Sequence, residues 1–342
     1  MFLDEYSRGK RKHKKKNANK KKRKKIILYI TIPILVLFLA VGGYVLALYF
    51  KASDTIGKSY EDDGRDKSNL RETIVDPTKD NISILIIGVD SSEKRANMGT
   101  PRSDTLMLAT LNKKENSVKL LSIPRDSYVY IPEVDYETKI NHAHRYGGPK
   151  ASIETVEHLL DIPVDYYVSV NFEAFMDIVN ALGGITVEVP YEMWEQDSKD
   201  RKDAIHLLPG VQVLNGEEAL AFARTRHYDS DMKRGQRQME VIKAIVKKAT
   251  SIGSVLKYGD IIEAIGENMK TNLTFAEMQG LISYGLSGKT LDIESLQLKG
   301  DDWWPNGTYY YKLDEEALEE TKQLLKEHLE LVPSNEPDVS TN

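Results

Sequence analysis

The 342-residue sequence contains no cysteine. Disulfides, thiol nucleophiles and metal sites with cysteine ligands are therefore excluded. The sequence also lacks the G-x-x-x-x-G-K-[ST] phosphate loop, the H-E-x-x-H zinc motif and the G-x-S-x-G nucleophile motif. These absences argue against a phosphate-loop nucleotide hydrolase, a zinc peptidase of the H-E-x-x-H type and a serine hydrolase of the G-x-S-x-G type.

Charge is distributed unevenly along this acidic chain, whose formal net charge is −5. Residues 1–25 contain thirteen lysines and arginines against two acidic residues, a net charge of +11, so the remaining 317 residues carry −16. Residues 26–50 contain no charged side chain. This apolar run is long enough to span a bilayer and too long for a signal peptide, so we predict one transmembrane anchor.

The basic tail predicts the orientation of that anchor. Positive residues beside a membrane span stay in the cytoplasm and are attracted to anionic lipid headgroups, which makes membrane lipid an expected partner. The rest of the chain is then predicted to lie outside the cell membrane. Nucleic acid is excluded as a partner of the body, because the membrane separates the two.

The remainder divides into a polar segment, a body and a short tail. Residues 51–80 lack an apolar period and are predicted to be a juxtamembrane linker; the body is expected at 81–332, and 333–342 has the composition of a disordered tail. Apolar runs typical of buried strands, such as 82–89, alternate with amphipathic patterns typical of helices, such as 151–160. We therefore predict an α/β fold in which helices sandwich a central β-sheet.

Two carboxylates are predicted at strand ends in this body. Asp90 follows the first buried strand and Asp104 opens the next, with Arg102 two residues before it. Ligands of α/β proteins bind outside strand ends, and Mg²⁺ is commonly held by one or two carboxylates together with phosphate oxygens. A cation that bridges to a phosphate is one interpretation of the pair. Aspartates that only stabilise turns are the other.

Positive charge is concentrated in the stretch AFARTRHYDSDMKRGQRQ, residues 221–238. Arg224 and Arg226 precede a predicted helix whose first turn carries Arg234, although a helix N-terminus favours anions over cations. Arg125 follows another buried strand. Either a bound anion or a solvated basic face neutralised by nearby aspartates explains these arginines. Arginine binds phosphate oxygens through two N–H groups, so an arginine cluster favours a diphosphate over a carboxylate.

Four further side chains each have two interpretations. His142 and His144 lie close to Lys139 in the sequence and are candidates either for the same site or for structural positions. Trp303 and Trp304, in the stretch WWPNGTYYY, are candidates for stacking on sugars or for packing in a hairpin around Asn306–Gly307.

Seven motifs between about residues 80 and 330 occur in one order: GVD, RSDTLML, SIPRDSYV, KINHAHRYGG, VDYYVSVNFEAFMDIVNALGGI, LNGEEALAFARTRH and DMKRGQRQ. This series resembles the LytR-CpsA-Psr proteins, which are membrane-anchored ligases of Gram-positive cell envelopes. The resemblance implies the αβα fold of that family, with a central mixed sheet. It also matches the order of tail, span and linker before the body.

The resemblance also implies an activity and a site. The family transfers a glycopolymer, here expected to be wall teichoic acid, from an undecaprenyl-pyrophosphate carrier to a sugar hydroxyl of peptidoglycan and releases undecaprenyl phosphate. Asp90 and Asp104 would bind Mg²⁺ or Mn²⁺, and both would act in catalysis with Arg125. The residues implied to hold the pyrophosphate are Arg102, Arg125, Lys139, Arg224, Arg226, Arg234 and Gln238. Lys233 and Arg237 are expected only to add supporting charge.

Two other functions are compatible with the same residues. One is a pyrophosphatase that acts on the lipid carrier with water as acceptor. The other is a non-enzymatic envelope regulator or wall-binding protein.

Overall fold

The structure is a computed structural model of the chain, and it describes residues 43–44, 46–47, 49–89, 101–226, 230–251, 266–286 and 291–332. The chain separates into two units, Met1–Lys51 and Ala52–Asn342. The described residues of the first unit are helical. The predicted basic tail (1–25), most of the predicted anchor (26–50) and the tail 333–342 lie outside the described residues. Within the described part, no helix combines the length and the apolar character that crossing a membrane requires.

The second unit contains fourteen named strands and six named α-helices in its described residues. In chain order they are β1 (Ile82–Val89), β2 (Ser103–Asn112), β3 (Ser117–Ser122), β4 (Tyr128–Ile131), β5 (Tyr136–Lys139), α1 (His142–Leu160), β6 (Tyr166–Asn171), α2 (Phe172–Ala181), β7 (Ile185–Val189), β8 (Met193–Glu195), β9 (Ile205–Leu207), β10 (Gly210–Leu214), α3 (Gly216–Arg224), α4 (Asp231–Ala249), β11 (Met269–Thr271), α5 (Phe275–Leu286), β12 (Asp292–Gln297), β13 (Gly300–Trp303), β14 (Tyr310–Leu313) and α6 (Glu315–His328).

A six-stranded sheet forms the centre of this unit, in the order β11-β6-β1-β2-β3-β12. β1 is parallel to β6 and β3 is parallel to β12, whereas the other neighbours are antiparallel. The sheet is therefore mixed. The carboxyl ends of β1, β3 and β6 and the amino end of β2 meet at one edge of the sheet, which is the edge expected to carry a ligand site.

The alternation of side chains along β1 divides its apolar run between two cores. Leu85 and Ile87 pack in a cluster with α1 and α6, while Ile82 and Ile84 pack in a second cluster with α4 and α5. Helices thus cover both faces of the sheet. The predicted α/β class is confirmed, and the predicted strand 82–89 is β1 itself.

A third apolar cluster lies beside the sheet, between β7, β10 and the helices α2, α3 and α4. Asparagine side chains cap two helices of this cluster. The Asn171 side chain accepts a hydrogen bond from the amide of Ala174 at 2.8 Å, which starts α2. Asn215 and Glu218 form a capping box at the start of α3. These caps set the directions of the two helices that flank the site described below.

Part of the segment predicted as a linker (51–80) is held against the body by ion pairs. The Nη1 atom of Arg65 lies 3.2 Å from Glu157 Oε2, and Arg71 binds both carboxylate oxygens of Asp165 at 2.9 and 2.7 Å. None of these four side chains is more than 11% exposed. The segment is held by these polar contacts and not by an apolar helix face. This explains why an ordered segment can lack an apolar period in its sequence.

His328 is buried at the end of α6, between two hydroxyl groups of the sheet. Thr110 Oγ1 lies 2.8 Å from its Nδ1 atom, and Ser117 Oγ lies 2.8 Å from its Nε2 atom. Burial, assisted by the nearby Lys119 cation, lowers the pKa of His328 to about 4. Its ordinary pKa is about 6.5, so folding favours the neutral imidazole.

This depressed pKa predicts a loss of stability in acid. The unfolded chain takes up the proton of this residue near pH 6.5 and the folded chain only near pH 4, so stability falls as the pH drops through that window. Between about pH 7.5 and about pH 5 the contribution of His328 to the free energy of unfolding should fall by about 2 kcal/mol. Urea unfolding of wild type and of His328→Gln at both pH values measures it. Equal acid losses in the two proteins would contradict the assignment.

Candidate functional site

The edge of the sheet where β1, β2, β3 and β6 meet carries a charged pair. Asp104 is the second residue of β2, and Arg125 follows the end of β3. Arg125 Nη1 donates to Asp104 Oδ1 at 2.7 Å. The antiparallel pairing of β2 with β3 brings these residues together, although twenty positions separate them. The two sequence motifs therefore meet at one place.

α3 and α4 bring the other arginines to the same edge. Gly216, at the start of α3, lies so close to α2 that a Cβ atom there would be 2.5 Å from the Met176 carbonyl oxygen. This contact places the end of α3 beside the start of α2, where the Arg224 guanidinium lies over the Phe172 ring, 4.7 Å from its centroid. Gly235 allows an equally close approach of α4 to β3, since its Cβ would lie 2.7 Å from Ser122 Oγ.

These elements enclose a cavity of about 530 Å³. Its lining combines four arginines with two acidic residues and a few polar or aromatic side chains. The lining residues are Asp104, Thr105, Arg125, Phe172, Glu195, Gln196, Arg224, Arg226, Arg234 and Gln238. Because four guanidinium groups outnumber the two carboxylates of the lining, the cavity is net positive and suits a ligand with several anionic oxygens.

Arg234 is the most deeply buried of the four arginines, with a side chain only 6% exposed. Its Nη1 atom lies 3.1 Å from Asp231 Oδ1, while its buried Nε has no hydrogen-bond partner in the described part of the chain. Burial, and then the cations of Arg226 and Arg125, lowers its pKa to about 10, so the group stays charged at neutral pH. A buried cation with an unsatisfied donor is costly unless an anion approaches it. This position therefore indicates an anion-binding site.

The remaining predicted site residues lie at different distances from this cavity. Gln238 lines it, with its Nε2 donating to the Ala223 carbonyl at 3.3 Å. Lys139 lies outside the lining and pairs with Asp126, at 2.7 Å. Arg102 is exposed beside β2 and is also outside the lining. Asp90 lies outside the described residues.

The two histidines near Lys139 have structural contacts. His144 is buried, and its Nδ1 donates to the Pro101 carbonyl at 2.7 Å. His142 Nδ1 lies 3.1 Å from Thr138 Oγ1. Burial, with the cations of Arg102 and Lys139, lowers the pKa of His142 to about 4. Neither histidine lines the cavity.

Arg237 differs from Arg234 although both are on α4. Its guanidinium donates to the carbonyls of Phe222 and Thr225, at 3.0 and 2.6 Å, and to the Tyr191 hydroxyl at 3.1 Å. It is 4% exposed and therefore joins the end of α3 to α4. The expectation that it only adds supporting charge is refined: Arg237 holds the two helices that carry the site arginines.

Four lining residues were not predicted as site residues from the sequence: Thr105, Phe172, Glu195 and Gln196. Thr105 is next to Asp104 in a strand, and only the three-dimensional course of β2 shows that it faces the cavity. Glu195 and Gln196 come from the three-residue strand β8 and its following turn, in a stretch with no recognisable pattern. A buried glutamate among arginines is visible only in the structure.

A comparison with protein families places this arrangement in a known group. The model described as the LytR_cpsA_psr family matches residues 46–327. The chain belongs to the LytR-CpsA-Psr family. The resemblance inferred from the seven motifs is thereby confirmed.

Members of the LytR-CpsA-Psr family with names and solved structures are similar to most of the chain. The polyisoprenyl-teichoic acid–peptidoglycan teichoic acid transferase TagT of Bacillus subtilis is 44% identical over 292 residues, which cover 85% of this chain and 89% of TagT. A structure of TagT bound to LI-WTA superposes with a TM-score of 0.68 at 43% identity, covering 78% of this chain and 97% of that one. A structure of YwtF (TagT) with bound octaprenyl pyrophosphate lipid gives 0.64 at 40% identity, with coverage of 78% and 97%.

Proposed function

We propose that this chain transfers an anionic glycopolymer, wall teichoic acid, from an undecaprenyl-pyrophosphate carrier to a sugar hydroxyl of peptidoglycan. The acceptor oxygen forms a bond to the phosphorus that carries the polymer. The bond between that phosphorus and the bridging oxygen breaks, and undecaprenyl phosphate leaves with the electron pair. The observation that carries the proposal is the buried Arg234, whose Nε lacks a partner among the described residues, in a cavity with three other arginines. The names of the transferase relatives supply the substrates.

The arginines account for the main requirement of the reaction. In phosphoryl transfer the protein positions the substrates and stabilises the negative charge on the phosphoryl oxygens. Arg125 and Arg234 flank the cavity at the end of the sheet, and Arg224 and Arg226 extend the positive surface along the α3–α4 connection. A diphosphate bound there would satisfy the Nε donor of Arg234. The diphosphate would also replace water around the Arg125 guanidinium, which is held in position by its hydrogen bond to Asp104.

A divalent cation is part of the proposal. The described residues contain no group of three or more histidines and acids that forms a metal site by itself. Mg²⁺ often uses only one or two carboxylates and completes its shell with substrate phosphates and water. Asp104, at the cavity, fits that role, and we propose Asp90 as the second ligand. When bound, Mg²⁺ or Mn²⁺ would neutralise phosphate charge. Asp90 is also our candidate to accept the proton of the acceptor hydroxyl.

The proposed location follows from the same substrates. A lipid-linked polymer and peptidoglycan meet at the outer surface of the cell membrane. The uncharged run 26–50 and the basic tail 1–25 support a single-pass anchor with a cytoplasmic N-terminus. The partners of the body would then be the membrane-bound donor and the wall glycan.

Analysis of the reaction products tests the function. Purified full-length protein, a polyprenyl-pyrophosphate-linked teichoic acid and peptidoglycan glycan should yield polymer covalently joined to glycan, with one prenyl monophosphate released per transfer. Asp104→Asn is the matched variant that is expected to be inactive. It removes one negative charge at nearly constant volume, and we expect it to reduce product formation at least a hundredfold. Release of free polymer phosphate, with no attachment to glycan, would show a pyrophosphatase instead.

A further inference from the structure

The hairpin β13–β14 presents a group of aromatic side chains. Trp303 and Tyr310 lie opposite each other in the hairpin, and both contact Tyr128 of β4 edge to face, at centroid distances of 5.0 Å. These three rings pack on one another. The next aromatic pair, Trp304 and Tyr309, lies at the turn with ring centroids 5.5 Å apart. The Trp304 side chain is 58% exposed.

This hairpin is joined to the chain that carries Arg125. The amide of Tyr311 donates to the Asp126 carbonyl at 2.9 Å, and Asp126 directly follows Arg125. Lys139 pairs with the Asp126 carboxylate at 2.7 Å, and its ammonium group lies 5.4 Å from the centroid of the Tyr309 ring. The aromatic hairpin therefore contacts the residue that directly follows Arg125, and Arg125 lines the cationic cavity.

The same hairpin also contacts the start of α4. The Tyr311 hydroxyl lies 3.5 Å from the Met232 sulfur, and Gln297, just before the hairpin, donates to the Met232 carbonyl at 2.8 Å. Met232 is two residues before Arg234. Contacts on both sides fix the hairpin beside the site, so its exposed Trp304 ring has a defined position relative to the arginines.

The polar groups beside the exposed Trp304 ring and the half-buried Tyr309 ring suit a sugar better than an anion. The Tyr309 hydroxyl donates to Asp302 Oδ1 at 2.9 Å. Asp301 and Asp302 are both exposed, and Lys312 lies opposite Asp301 in the hairpin. An aromatic ring packs against the apolar face of a pyranose, while carboxylate oxygens accept hydrogen bonds from its hydroxyls. A polymer of anionic phosphates would be repelled by Asp302, whereas a glycan backbone without phosphates would not.

The position of the hairpin also agrees with the direction of attack. The attacking and leaving oxygens of a phosphoryl transfer are roughly in line, so the two substrates approach from different sides. The cavity is lined by residues of β2, α2, α3 and α4, by Arg125 after β3, by Arg226 after α3, and by Glu195 of β8 with the residue that follows it. In the described part of the chain the hairpin lies outside this lining, on the side of Asp126.

We propose that Trp304, Tyr309 and Asp302 form a subsite that binds the sugar rings of the acceptor glycan. This inference rests on the proposed transfer function. Trp304 stacks on a sugar face, and Asp302, oriented by Tyr309, accepts a hydrogen bond from a sugar hydroxyl. The subsite thereby places the acceptor beside Arg125.

Steady-state kinetics with a soluble glycan acceptor test the subsite. Trp304→Ala should raise the KM for the acceptor about tenfold and leave kcat and the KM for the donor within about twofold, since the side chain is exposed and contacts only one substrate. Trp304→Phe keeps an aromatic face and should recover most of the affinity. Val211→Ala, at a 72% exposed position on β10, is the control for loss of an exposed apolar side chain. An unchanged acceptor KM, or a rise confined to the donor KM, would overturn the subsite.

A binding measurement separates this inference from the proposed function. The soluble glycan fragment is titrated into wild type and Trp304→Ala without any donor. Binding by wild type that weakens about tenfold in Trp304→Ala supports the subsite, even if the wild-type protein then transfers no polymer and the proposed function fails. Transfer by wild type together with equal glycan binding by both proteins would refute the subsite and leave the function standing. Absence of glycan binding by wild type would also refute the subsite.

Discussion

Replacement of Arg125 by alanine is expected to lower the rate of polymer transfer about a thousandfold in a protein that still folds. Arg125 stands at the cavity end of the sheet and donates to Asp104, which is itself 30% exposed. In the proposed reaction, removal of its guanidinium takes away a positive charge that stabilises the phosphoryl group. Asp104 can be hydrated once its partner is gone, so the cost in stability should be small. Single-turnover rates and urea unfolding of the same samples measure both effects.

The matched variants for this prediction are Arg125→Lys and Lys150→Ala. Lysine keeps the charge but loses the planar pair of donors, so transfer by Arg125→Lys should fall between wild type and Arg125→Ala. Lys150 is 51% exposed on α1 and pairs with Glu154, so its replacement should leave transfer unchanged. If folded Arg125→Ala transferred polymer at a rate within about threefold of wild type, Arg125 would not be part of the reaction.

The second large effect is a contrast in stability between alanine variants of Arg234 and Arg237, which lie three residues apart on α4. Arg237→Ala should lower the free energy of unfolding by roughly 3 to 5 kcal/mol, because two buried carbonyls and the Tyr191 hydroxyl lose their donor and a buried space is left. Arg234→Ala should change it by no more than about 1 kcal/mol, because it removes a buried cation whose Nε has no partner in the described residues. Transfer should nevertheless be lost in Arg234→Ala.

Urea unfolding of the two variants distinguishes structure from function on α4. The expected result is a folded, inactive Arg234→Ala and a strongly destabilised Arg237→Ala. The opposite pattern, with Arg237→Ala as stable as wild type and Arg234→Ala largely unfolded, would exchange the roles of the two arginines. Added pyrophosphate should stabilise wild type more than Arg234→Ala, since a ligand stabilises the state that binds it.

The sequence was most informative where local chemistry determines structure. The apolar run of β1 depends only on neighbouring residues, and the strand predicted from it is observed. The caps that Asn171 and Asn215 give to α2 and α3 are equally local, since each reaches a residue three positions along the chain. The arginine cluster was also visible, because cations near a helix start oppose the helix dipole. Asp104 and Arg125 were recognisable at strand ends, and the sheet register then brings them to 2.7 Å.

The sequence was least informative where a role depends on the partner of a side chain. Arg234 and Arg237 occupy the same helix and differ only in what faces them, an open cavity or the carbonyls of α3. Glu195 enters the site from a strand of three residues, too short to show a period. Lys139 and Arg102 matched family motifs, yet both lie outside the cavity lining, and their proposed contact with pyrophosphate is still a prediction.

The ion pairs of Arg65 and Arg71 determine where an independently folding fragment can begin. A chain truncated at Asn81 would lack both arginines, and the carboxylates of Glu157 and Asp165, which are 10% and 3% exposed, would lose their cations. Burying such charges uncompensated typically costs several kcal/mol, a large share of the stability of a domain. The smallest autonomous unit therefore extends upstream of Asn81 at least through both arginines, to Arg65.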